Sequence, residues 1–141
     1  MKFKTVADIL ERERDSTIKE WLTRVNLVAE LTNIPLSDAH RTSHLPKLFD
    51  DLLYRLRRDG ASYPLISNSA AAHGDMRFMQ GYSPAMLIEE SRIFEVSAFN
   101  TLHLHQSELD QTQVFLDVMV IADEADRQLT ESMRSFMAYS H

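Results

Sequence analysis

Residues 70–94 read AAAHGDMRFMQGYSPAMLIEESRIF, and this stretch decides how the rest of the chain is read. A helix passing through His73 and Arg77 has its stop at Gly81, a residue free to take the left-handed conformation that closes a helix. Ser83 followed by Pro84 is a start signal: the hydroxyl caps free amides, and proline is preorganised for the first helical position. His73 and Arg77 are one helical turn apart and share a face. Glu90 lies two turns into the next helix, so an antiparallel return brings its carboxylate back toward Arg77. Gln80 and Tyr82 flank the turn. The expectation is a corner where His73, Arg77, Gln80, Tyr82 and Glu90 meet. Two uses of such a corner stay open, a structural clasp and a ligand-binding or sensing site.

Working outward, three glycines and four prolines serve the whole chain, and nearly all fall where helical periodicity is interrupted. Thr5 with Asp8 forms a capping-box pattern ahead of Ile9, Ile18, Trp21, Leu22, Val25, Val28 and Thr32, which predicts one long first helix ending before Pro35. Ser37 and Asp38 cap a second helical stretch. Pro46 either begins a fresh helix or kinks that one, and Leu48, Phe49, Leu52, Leu53 and Leu56 follow as an apolar stripe stopped by Gly60. A shorter helix after Ser62, Tyr63 and Pro64 runs to Met79. The helix from Ser83 presents Leu87, Ser91, Phe94, Ala98 and Leu102 inward and ends near His105. Ser107 and Asp110 form another capping-box pattern, and Val114, Val118, Ile121, Ala125, Leu129 and Phe136 keep helical phase beyond it. The expected architecture is all-α: an antiparallel bundle of about five helices in one domain, 1–141.

With 141 residues, 44% of them hydrophobic, there is material for a single core. Net charge is −6 with both signs interspersed, and Arg55, Arg57 and Arg58 are only a local basic cluster, so no nucleic-acid surface is expected. Cysteine is absent, which removes disulfides, thiolate metal sites and cysteine nucleophiles and suits a reducing interior. Met1, Lys2, Phe3 and Lys4 are not followed by an apolar segment, and no window approaches the roughly 18 apolar residues of a membrane span. A cytoplasmic location without membrane insertion is the resulting expectation.

His73-Gly74, Arg77, Gln80-Gly81-Tyr82-Ser83, Leu87 and Glu90 resemble the central signature of the amino-terminal sensory domain of the RsbR/RsbRD type. That domain precedes effector modules in bacterial stress-signalling proteins and stands at the front of sensor histidine kinases. The resemblance extends more loosely from Ile9 to Met133 through the helix pattern and through Leu45-Pro46. It implies an all-α regulatory input module, globin-like in some relatives, that feeds a downstream effector domain or partner signalling protein. No such effector is recognisable within these residues. An unidentified small ligand is compatible with this role.

Other chemistry is sparse. His73 as an axial haem ligand is the sharper alternative, since a histidine-bearing helix followed by two long helices has the order of a globin's last three; Gly74, Asp75 and Arg77 oppose the apolar slot haem needs. His40 and His44 have two-histidine metal spacing but no third ligand nearby in sequence, and His103 and His105 face different ways, so no metal site and no cofactor are expected. The methionines read as adaptable core filler. There is no phosphate-binding glycine loop, nucleophile elbow or kinase motif, and hence no expected catalytic residue. Surplus apolar residues at Leu10 and Leu27 of the first helix and Phe115, Met119 and Met133 of the last predict a symmetric homodimer patch. A dimerising scaffold that binds no small molecule is the remaining alternative.

Overall fold

The computed structural model describes residues 2–58 and 68–139. Its helices are α1 (Val6–Arg12), α2 (Arg14–Val25), α3 (Ala29–Thr32), α4 (Asp38–Thr42), α5 (Leu45–Arg57), α6 (Asn68–Met79), α7 (Pro84–Leu104) and α8 (Gln111–Met137), with a short 3-10 turn at Gln106–Glu108. Among the described residues the nearest approach to a sheet is one isolated bridge between Lys4 and Leu109. The all-α expectation is met with more segments than five. The readings placed on Gly60 and on Ser62, Tyr63 and Pro64 lie outside the described residues.

The additional segments come mostly from the first helix, which is not continuous. Glu13 takes φ −100°, ψ 20° between α1 and α2. Its carbonyl accepts the hydroxyls of Ser16 at 3.0 Å and Thr17 at 2.7 Å. Such side-chain bonds compete with the backbone ladder and bend it. A second interruption follows Val25, where Val28 is extended ahead of α3. Thr5 caps α1 as its pattern predicts, taking the Asp8 amide while Asp8 reaches back to the Thr5 amide. At the start of α8 the pattern misleads: residues 106–108 wind into the 3-10 turn, and the cap is Asp110, which accepts the Thr112 amide at 3.0 Å.

Helix α7 is the axis of the packing, set against α1, α2 and α8. Thr17 meets Thr101 and Trp21 meets the backbone of Glu90, so α2 runs antiparallel to α7. Ile9, Leu10, Trp21, Val25, Leu31, Phe49, Leu52, Ala98 and Ile121 are among the core residues closed to solvent. Leu10 is therefore a correction: it is fully buried and offers nothing to a second chain, because the bend at Glu13 lets α1 turn its whole apolar side inward. Helix α6 lies along α8 at a crossing centred on Gly74, where a Cβ would stand 2.0 Å from the Ser132 carbonyl oxygen. This glycine is a contact point and not a break in the helix.

A buried polar centre between helices α4, α6 and α7

The turn joining α6 and α7 is built by short-range rules. Gly81 has φ 88°, the Tyr82 amide donates to the Arg77 carbonyl at 3.0 Å, and the Gly81 amide donates to Phe78 at 3.1 Å. This pair of bonds is the Schellman closure, which glycine permits without strain. Ser83 then accepts the Met86 amide and starts α7. The reversal returns Glu90 alongside Arg77, as the spacing predicts.

Arg77 is completely buried and Glu90 nearly so. Arg77 Nε donates to Glu90 Oε1 at 3.0 Å and Nη2 to Oε2 at 3.1 Å, a two-pronged pairing that suits the planar guanidinium. The same Nη2 reaches the Arg41 carbonyl at 2.8 Å, and Nη1 donates to Gln80 Oε1 at 2.8 Å. Tyr82 donates its hydroxyl to Glu90 Oε2 at 2.7 Å, and its ring lies 4.6 Å from the guanidinium carbon. Burial pushes the Glu90 carboxyl upward, while Arg77, Tyr82 and Arg41 pull it back. The three donors on its oxygens, Arg77 Nε and Nη2 and the Tyr82 hydroxyl, oppose that rise without cancelling it. Burial together with Glu90 raises the Tyr82 phenol, which keeps its proton.

All five corner residues expected from sequence are thus brought together. Two further residues, Arg41 and His44, were not foreseen. Arg41 is buried and donates to the carbonyls of Leu31 and Ile34 and to the Tyr82 hydroxyl, which ties the α3 turn to the corner. His44 does not pair with His40 as a metal face. Its ring stacks on that of His73 with centroids 3.7 Å apart and planes 10° off parallel, and Trp21 meets His44 edge-on at 5.6 Å. The sequence signal was a three-residue spacing that puts Arg41 and His44 on one helical face after the Ser37 cap.

His73 Nε2 lies 3.8 Å from Glu90 Oε1, and the Nδ1 atoms of both histidines are buried with no hydrogen-bond partner among the described residues. Burial and the nearby Arg77 charge hold His73 down at about 3. Burial, His73 and Arg77 hold His44 well below the ordinary imidazole range. Both rings are neutral. They line a cavity of about 30 Å³ with Trp21, Glu90 and Gln128, enough for a water or two and far below the space a porphyrin needs. The slot expected beside a haem-ligating His73 is filled by His44. A second buried polar row on α8 backs the cavity: Glu124, Gln128 and Ser132 recur every four residues, and Gln128 donates to Glu124 and to the Leu48 carbonyl.

The residues assigned to a dimer patch are scattered. Leu27, Phe115 and Met119 are exposed, whereas Met133 packs partly against the core. Leu27 follows the end of α2 that faces Glu90, while Val114 and Val118 lie beside Phe99 and Leu102. Roughly 20 Å of α7 separates the two levels at 1.5 Å per residue.

Among the described residues, no helix is long and apolar enough to cross a membrane. No protein-family model, curated protein or solved structure matches the chain.

Proposed function

We propose that the chain is a signal-input module of a bacterial sensor kinase or stress-response protein, acting in the cytoplasm, with no catalysis of its own. In this reading a ligand or partner alters the contact between α6 and α7, and α8 carries the change to an effector. One observation carries it: Arg41, Arg77, Glu90, Tyr82 and His73 are buried together beside a half-buried His44, and among the described residues neither imidazole Nδ1 has a hydrogen-bond partner. Taking such groups out of water costs more than their mutual attraction returns, so stability alone gives no reason to keep them. Perturbed ionisable groups gathered around a cavity are where function concentrates. The corner residues are also those through which the chain resembles the RsbR/RsbRD sensory domain.

Helix α8 suits the transmitting role. It spans about 40 Å at 1.5 Å per residue, is packed against the clasp-bearing α6 and α7, and carries an exposed apolar ridge at its start. Phe115, Leu116 and Met119 are all more than half exposed. We assign this ridge to self-association, with the pairing of two α8 helices as the element whose geometry changes.

Hydrogen exchange on the intact chain tests the reading. Glu90→Gln is expected to raise exchange both at the corner and at residues 111–120 of α8. A change confined to the α6–α7 turn refutes transmission. In sedimentation, wild type is expected to dimerise and Phe115→Asp to remain monomeric; a monomeric wild type removes the ridge as an interface.

A further inference from the structure

We propose that His44, His73 and Glu90 form a binding site for one divalent transition-metal ion of the zinc class. Ligating atoms of the three side chains lie within 4.8 Å of one another. Two imidazoles and a carboxylate, with water completing the shell, are a chemically sufficient zinc set. This names the ligand class for the same polar centre and rests on the input-module reading only for its consequence, since the binding itself stands or falls alone.

One pair of ligand atoms already stands near the spacing an ion requires. Bonds of about 2.0–2.2 Å arranged tetrahedrally put ligand atoms about 3.4 Å apart. His73 Nε2 and Glu90 Oε1 are at 3.8 Å, so the pair closes by about 0.4 Å around the ion, within the reach of small side-chain rotations. A ligating nitrogen of His44 lies within 4.8 Å of both, so this side chain has the farthest to move. Two neutral imidazoles lying nearly parallel at 3.7 Å gain less than an edge-to-face pair would, and among the described residues neither Nδ1 has a hydrogen-bond partner. A ring nitrogen's lone pair lies in the ring plane, so two stacked rings cannot both face one ion; binding turns His44 out of the stack, which gives up a contact of little strength. His73 is 7% exposed and lines the cavity, which holds the fourth, water ligand.

Arg77 sets the terms. Its charge opposes a cation, and its Nε already occupies one lone pair of Glu90 Oε1. The second lone pair remains for the ion, and Arg77 keeps Gln80 Oε1 and the Arg41 carbonyl as acceptors if its hold on Glu90 loosens. The ion therefore competes with the clasp between α6 and α7, which makes binding modest in strength and consequential for helix geometry. Imidazole donors exclude magnesium and calcium, which take oxygen shells.

Trp21 is the only tryptophan and meets His44 at 5.6 Å, so it reports on the site. Co²⁺ is titrated into the purified chain after chelator treatment, with Zn²⁺ as competitor and Mg²⁺ as control. One equivalent of Co²⁺ is expected to quench Trp21 fluorescence, Zn²⁺ to restore it, and Mg²⁺ to do nothing. His44→Gln and His73→Gln should each weaken Co²⁺ binding by about tenfold or more, and His40→Gln should leave it unchanged. Wild type that shows no saturable quenching overturns the site, as does binding that survives His44→Gln in a folded chain. Circular dichroism verifies folding, and the wild-type competition decides the matter even where a histidine variant does not fold. Absent metal binding with transmitted hydrogen exchange in Glu90→Gln would reject this site and leave the input module standing; the converse pattern would reject the module alone.

Discussion

Replacing Gly74 with alanine sets two physical effects against each other. Alanine is the better helix former by about 1 kcal/mol, so on local grounds the substitution in α6 should stabilise the protein. At this position, however, the new methyl would stand 2.0 Å from the Ser132 carbonyl oxygen, 2.8 Å from its carbonyl carbon and 2.9 Å from its Cα. All three belong to the backbone of α8, which cannot rotate aside as a side chain does. Restoring ordinary contact near 3.5 Å means parting the helices by about 1.5 Å. Overpacking of this kind costs about 1–3 kcal/mol or more. The movement also pulls the Ser132 hydroxyl from the Ala70 carbonyl, now 2.7 Å away, at about 1 kcal/mol. Taking about 3 for the clash, about 1 for the hydrogen bond and about 1 returned by propensity, the net loss is about 3 kcal/mol. Urea unfolding followed by circular dichroism measures it. With a slope of about 2 kcal/mol per molar urea, the midpoint falls by about 1.5 M. A midpoint that is unchanged or higher would refute the close crossing of α6 and α8.

Two further outcomes follow from the charged groups. Glu90→Ala strands the buried Arg77 guanidinium, and urea unfolding should show a loss of about 3–5 kcal/mol; a loss under 1 kcal/mol would mean that Arg77 finds full compensation in Gln80 and Arg41. The Arg12 guanidinium, donating to both oxygens of Glu108, holds that carboxyl at about 2, below its ordinary 4.5. The folded value is the lower one, so the contribution to stability is complete above pH 4.5 and disappears as pH falls through about 2. Carbon-detected NMR titration of Glu108 reads the shift directly, and Arg12→Met should return the carboxyl toward its ordinary range. An unchanged titration in that variant would dissociate the shift from the ion pair.

What was legible in the sequence was what neighbouring residues dictate. Caps at Thr5, Ser37 and Ser83, the stop at Gly81 and the meeting of Arg77 with Glu90 all depend on groups within about four turns of one another, where helix geometry fixes who faces whom. The stripe of Leu48, Phe49, Leu52 and Leu53 was equally plain, and all four are buried. Local rules went astray where two chain segments compete for the same groups. The Ser107 pattern looked like a cap, but the Lys4 amide takes the Glu108 carbonyl and Arg12 takes its side chain, which hold residues 106–108 in a separate turn. Glu13 looked like helix interior, yet its side chain is drawn to His105 and Arg12.

The sequence alone determined an all-α chain and the corner of His73, Arg77, Gln80, Tyr82 and Glu90, because spacing along a helix and one tight turn suffice to place those groups. Only the tertiary structure decided that His44 stacks on His73, that Arg41 closes the corner from α4, that Leu10 is interior and that Gly74 is a crossing point. Each of these depends on the depth and angle at which separate helices pack, a property of side-chain volumes summed across the core and not of any spacing within a single helix.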